Sequence, residues 1–93
     1  TGEQWRLGTA NRLDRLDFQY SLDATSLTTG SWNDLNTLDF TTPNSIGTIG
    51  ARDGNAIANR AELSTTISGL SIANGTTFWI RWASFNADNA DDD

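Results

Sequence analysis

Ninety-three residues with a formal charge of −6 are enough for one domain with a modest core, and their acidity makes free nucleic acid or an anionic membrane surface a poor default partner, since phosphate binding needs clustered Lys and Arg. The chain has no Cys, no His and no Met, and every basic residue is Arg. Those absences exclude disulfide staples, Ser-His-Asp and Cys-His nucleophiles, Schiff-base lysines and the usual zinc ligands, and no apolar run approaches the ~18 residues of a membrane-spanning helix.

The predicted elements are short strands separated by turns. The first is Gln4 to Leu7. The second, about Asp14 to Leu22, carries the strongest pattern: Leu16, Phe18, Tyr20 and Leu22 alternate with Asp17, Gln19 and Ser21, the period of a half-buried strand. Arg12 and Arg15, either side of Leu13 and Asp14, read as a solvated turn laced with ion pairs. A polar turn leads to Gly30-Ser31-Trp32, and Trp32 opens a third strand to about Phe40, with Leu38 and Phe40 on one face. Pro43 marks a loop, and Ile46 to Ile49 is a weak strand broken by glycine. Asp53-Gly54-Asn55 is a turn signal. Ala61 to Ile67 alternates again, and Asn74-Gly75, the start of a sequon-like triplet, reads as a hairpin turn into Thr77 to Phe85.

Within that last strand, Phe78, Ile80 and Trp82 share one face, and Trp79, Arg81 and Ala83 share the other. A strand apolar on both faces is normally central in its sheet and covered on both sides. The fold class expected is therefore all-β: an antiparallel two-sheet sandwich of jelly-roll type, residues 1–93 forming one module. No internal boundary, repeat or linker interrupts it. The start at Thr1 and the acidic surface rich in Thr, Asn, Ser and Gly point to a processed chain or an excised piece of a longer secreted or surface-exposed bacterial protein.

Several words of the sequence, in order, resemble a known kind of module. They are Gly2-Glu3-Gln4-Trp5-Arg6, Phe18-Gln19-Tyr20-Ser21-Leu22-Asp23, Ser31-Trp32, Ile67-Ser68-Gly69-Leu70, Phe78-Trp79-Ile80-Arg81-Trp82 and the closing Asn86 to Asp92. Together they look like a jelly-roll accessory module of secreted bacterial multidomain proteins that also carry lamin-tail-like or extracellular endonuclease domains. More distantly, the Tyr-Ser-x-Asp…Trp pair and the late Ile-Arg-Trp strand are similar to galactose-binding-like and MAM-like sandwiches. The resemblance implies a role in sugar binding, adhesion or oligomerisation. In such relatives the acidic cluster leads into one more strand, whereas this chain stops at Asp93. One sheet edge would then be open to pairing by another chain.

Catalysis is not expected. Glu3 and Glu62 are the only glutamates, far apart in sequence, and no compact acid pair of a glycosidase is visible. Asp88, Asp91 and Asp92, with Asp93, Asn86 and Asn89, have the oxygen chemistry for calcium but not the spacing of a recognised calcium loop; a solvated acidic turn or tail is the favoured explanation. Asp53, Asn55 and Asn59 form a second oxygen-rich loop, more simply explained as turn chemistry. Of the aromatics Trp5, Trp32, Trp79 and Trp82, a sugar-binding module would leave at least one exposed beside hydrogen-bonding groups. Trp82 is expected in the core. Trp79 is the better surface candidate because it shares a face with Arg81, itself suited to contact a ligand, pair with an Asp or stack on a ring.

The expected function is a non-catalytic extracellular module that binds a polysaccharide or other polymer, with Trp79 and Arg81 as the contact face and calcium on Asp88, Asp91 and Asp92 as an assisting ion. The alternative is a structural module of an appendage or matrix that joins neighbouring subunits, copies of itself included, through an open sheet edge.

Overall fold

The computed structural model describes residues 1–86. It contains eight strands and two short 3-10 turns. The strands are β1 (Gly2–Glu3), β2 (Arg6–Leu7), β3 (Arg15–Ser21), β4 (Asn33–Asp34), β5 (Phe40–Thr41), β6 (Gly50–Ala51), β7 (Arg60–Ala61) and β8 (Trp79–Phe85), and every pairing is antiparallel. The 3-10 turns are Asn36–Leu38 and Ile57–Asn59. The chain is thus all-β with almost no helix.

The strong alternation from Leu16 to Leu22 does what its pattern requires and becomes the axis of the main sheet. β3 pairs with β8 along its whole seven-residue length, from Arg15↔Phe85 to Ser21↔Trp79. Its other edge takes β4 at Gln19 and Tyr20, and β5 at Arg15 and Leu16. Two smaller ladders, β1 with β7 and β2 with β6, hold the N-terminal segment.

Three predicted strands come out differently. The run from Trp32 to Phe40 is not one strand. Between β4 and β5 the Asp39 carboxylate accepts the Phe18 amide at 2.9 Å, and the Leu35 amide reaches the Phe18 carbonyl at 3.1 Å. A side chain thereby replaces a backbone acceptor, and residues 35–39 bulge outward through a 3-10 turn. Of Ala61 to Ile67 only Ala61 enters a ladder, because alternation needs a partner strand and residues 62–67 have none among the described residues. Ile46 to Ile49 is a loop, with the strand starting at Gly50.

β8 is a fourth difference. It pairs with β3 alone, so it is an edge strand among the described residues and not a covered central one. Trp82, expected in the core, makes an edge-to-face contact with Phe18 at 5.1 Å yet stays 50% exposed. Its indole lines an open groove, which leaves half of the residue accessible. Apolar burial is correspondingly sparse: among the described residues, Leu7, Phe18 and Ala24 are the buried hydrophobic ones. The radius of gyration of 15.6 Å exceeds the about 12 Å expected of a compact chain this long, which fits a thin core.

Buried polar groups do much of the remaining work. Gln4 donates to the Arg6 carbonyl and accepts the Asn44 amide, while the Asn44 side chain donates to Asn59. Asn59 in turn donates to the Asp53 carbonyl. Thr42 both accepts the Asp14 amide and donates to the Asp14 carbonyl. These bonds tie the loop around Pro43 to both ends of the N-terminal segment, and satisfied partners are what make such burial tolerable.

Candidate functional site

The two faces of the main sheet offer different chemistry. On one, β3 presents Arg15, Asp17, Gln19 and Ser21 opposite Phe85, Ala83, Arg81 and Trp79 of β8. Although polar, this face is covered by the chain that follows β3. Ser21 is fully buried, and its hydroxyl donates to Asp23 and accepts the Ala24 amide. Asp23 also accepts the Ser31 amide at 2.7 Å, and these donors hold its carboxyl below the usual carboxylate range, the Ser31 amide contributing most. Gly30, at φ 77°, lets the loop fold back: a Cβ there would lie 2.6 Å from the Ala24 backbone. The Trp32 indole closes the loop by donating to the Thr29 carbonyl.

Arg81 clamps this loop to the sheet. Its guanidinium lies 3.9 Å from the Trp32 ring centroid, its Nε donates to Gln19 Oε1 at 2.8 Å, and a terminal nitrogen donates to the Leu27 carbonyl. Of the roles open to Arg81 from sequence, the structure displays ring stacking. Trp79, its expected partner in a contact face, is half-buried on the same side. Asp88, Asp91 and Asp92 lie outside the described residues.

Sequence reasoning missed one polar cluster. Asp17, Asp34 and Asp39 each bring a carboxylate oxygen within 4.8 Å of the others. Burial first, then the charges of Asp34 and Asp39, raise the Asp17 carboxyl above its ordinary value, with Arg15 opposing. Arg15 stands 3.2 Å from Asp17 and 3.8 Å from Asp39 and caps the cluster, while its guanidinium also sits over the Phe85 ring at 5.0 Å. Three oxygens are at most half of the roughly 6–8 that calcium takes, and Arg15 already supplies a positive charge. The available signal was the β3–β4 register, which brings Asp34 opposite Gln19 and so beside Asp17. Without the pairing, the three residues are merely scattered carboxylates.

The opposite face is apolar and open. Leu16, Phe18 and Tyr20 of β3 lie beside Ser84, Trp82 and Ile80 of β8. Phe18 is buried, but Leu16, Ile80 and Trp82 are all exposed. At one end of this face, Leu16, Leu38, Phe40, Leu63 and Trp82 line a groove of about 280 Å³, with Glu3 at its rim. Phe40 is seated there by Gly2: a Cβ on that glycine would lie 2.2 Å from the ring. Glu3 meets Arg60 at 4.0 Å across the β1–β7 ladder. The arrangement suits large apolar side chains and holds no set of groups for acid–base or nucleophilic chemistry. Comparison with protein-family models, with curated proteins and with solved structures returns no match, so the functional reading rests on these residues alone.

Proposed function

We propose that this chain is a non-catalytic β-module of a secreted or surface-exposed bacterial protein that works by assembly, covering the open face of its main sheet with the same face of a second copy. One observation carries the reading: an apolar sheet face with Trp82 half exposed and Ile80 and Leu16 beside it. Contiguous apolar surface of this kind marks interaction sites. A second copy offers the same alternation, and an isologous two-fold contact needs only self-complementarity. The result would be the two-sheet sandwich that the sequence pattern anticipates, the sheets about 10 Å apart. The second edge of β8 has no strand partner among the described residues, which leaves room for strand addition as well.

Polysaccharide recognition through Trp79 and Arg81, with calcium assisting, is the weaker reading on this geometry. Arg81 spends its ring face on Trp32 and its donors on Gln19 and Leu27.

Sedimentation velocity across micromolar to millimolar protein tests the proposal, with near-UV circular dichroism confirming the fold. A concentration-dependent dimer that Ile80→Asp and Trp82→Asp turn into folded monomer supports it. A chain that stays monomeric throughout overturns it.

A further inference from the structure

We infer that Asn74 is a site of spontaneous covalent modification, where the side-chain amide is lost through ring closure with Gly75 to leave aspartyl and isoaspartyl products. The inference goes beyond the assembly reading and does not rest on it.

Asn74-Gly75 is the only Asn-Gly pair in the chain; every other Asn precedes a residue whose side chain crowds the next amide nitrogen. The pair lies within residues 62–78, which form no strand or helix. The Thr76 amide reaches the Ala73 carbonyl at 3.1 Å, and Gly75 has φ 81° while Asn74 keeps a negative φ, the pattern of a type II turn. Residues 70–78 are all exposed. Among the described residues, neither the Asn74 side chain nor the Gly75 amide has a hydrogen-bond partner. A Cβ on Gly75 would meet nothing within 4 Å, so nothing packs against the Asn74–Gly75 peptide to stop it turning toward the Asn74 side chain.

The chemistry needs only hydroxide and water. Hydroxide takes the Gly75 amide proton, and the nitrogen attacks Asn74 Cγ. The new N–Cγ bond closes a five-membered imide as the Cγ–Nδ2 bond breaks and ammonia leaves with a proton. Water then opens the ring on either side. Cleavage at Cγ restores the main chain with an aspartyl side chain. Cleavage at the original peptide carbonyl routes the main chain through Cγ, an isoaspartyl link. The net change is one amide and one water converted to one carboxylate and one ammonium ion.

The one other pair able to close such a ring, Asp53-Gly54, is held away from it. The Asp53 carbonyl accepts the Ala56 amide and the Asn59 side chain, each at 3.0 Å, and its Oδ1 accepts the Asn55 amide. Gly54 is pressed against Trp5, where a Cβ would lie 2.4 Å from the ring. Asn44 and Asn59 hold each other's side chains at 3.0 Å. Conversion at Asn74 adds one negative charge to a chain already at −6, and the isoaspartyl form adds a main-chain carbon just before β8. Residues 62–78 contribute no ladder bonds, so the β3–β8 pairing survives the change.

The test is to age the full chain at neutral and mildly alkaline pH, folded and in urea, and then to cut it with trypsin. Cleavage after Arg60 and Arg81 releases peptide 61–81, in which Asn74 is the sole side-chain amide. That peptide is expected to gain one mass unit before any other and to split into two chromatographic forms, faster at the higher pH. The folded chain should convert within about tenfold of the unfolded rate, as for a loop that opens at almost no cost. Gly75→Ala should slow conversion about tenfold or more, and the converted wild-type chain should keep its urea midpoint. Folded conversion more than about tenfold slower than unfolded, a Gly75→Ala chain that converts as fast as wild type, or loss from peptide 16–52 or 53–60 ahead of 61–81 overturns the inference.

Discussion

The two faces of the main sheet reverse the arrangement that hydrophobicity alone suggests. The polar face, with Asp17 and Ser21, is the one the chain covers, and the apolar face, with Ile80 and Trp82, is the one it leaves open. The covered face is held by directed bonds: Asp23 to Ser31, Trp32 to Thr29, and Arg81 to Gln19, Leu27 and the Trp32 ring. The open face has area and shape but few directed partners. A short chain can thus close over a polar surface when local loops supply matched donors and acceptors, whereas an apolar surface of similar size needs a partner of comparable breadth.

The sharpest way to break this contrast is at the buried side chain of the apolar face. Phe18→Ala removes a buried ring and its contact with Trp82 and is expected to cost about 3–5 kcal/mol, enough to unfold a chain with so little apolar burial; the urea midpoint reads it. Next comes the clamp on the polar face. Arg81→Lys keeps the charge but loses the flat stack and the fork of donors, for a loss of about 1.5–3 kcal/mol and faster amide exchange across residues 22–32. Asp39→Ala orphans the Phe18 amide and should cost about 1–3 kcal/mol, while Asp39→Asn, which can still accept, should cost less.

Two acid groups of the covered face respond to pH in opposite directions. The folded chain holds the Asp17 proton more tightly than the unfolded chain, whose value is near the ordinary 3.8. The contribution of this group is therefore full below 3.8 and falls as pH rises through the raised folded value. Asp23 runs the other way: its contribution is present above 3.8 and is lost as pH falls through its lowered folded value. In urea titrations across pH 3–7, Asp17→Asn should raise the midpoint at neutral pH and remove its share of the slope. Asp23→Asn should lower the neutral midpoint and flatten the acid limb. The smallest effect on the monomer should come from the open face itself. Trp82→Ser is expected to cost only about 0.5–1.5 kcal/mol in chain stability, so a larger loss would mean that the face is already covered in solution.

Much of the local structure was legible in sequence. The alternation around Phe18 marked β3 and sorted its faces correctly, and Asp53-Gly54-Asn55 forms the turn its residues promise, Asp53 holding the Asn55 and Ala56 amides. Asn74-Gly75 likewise turns, with the Thr76 amide on the Ala73 carbonyl. Arg12 does pair with Asp14 at 3.0 Å, but the pair is largely buried and not the solvated turn expected. What could not be read was which face would be covered, because that depends on where the loop after β3 returns and not on the strand itself. The break at residues 35–39 was hidden for a similar reason: Asp39 looks like an ordinary polar position until β3 supplies an amide for it. The Asp17, Asp34 and Asp39 cluster exists only once two strands are in register.

The long ladder between β3 and β8 also sets an order of events in time. β3 can meet β4 and β5 soon after it is made, since they follow within a short stretch of chain, but its other edge must wait for residues 79–85. Closing so large a loop before its reward arrives slows folding. Until then the growing chain carries a bare β3 edge, a template for any neighbouring strand. During synthesis the hazard is thus greatest just before β8 arrives, and how promptly it docks decides whether the chain pairs with itself or with a stranger.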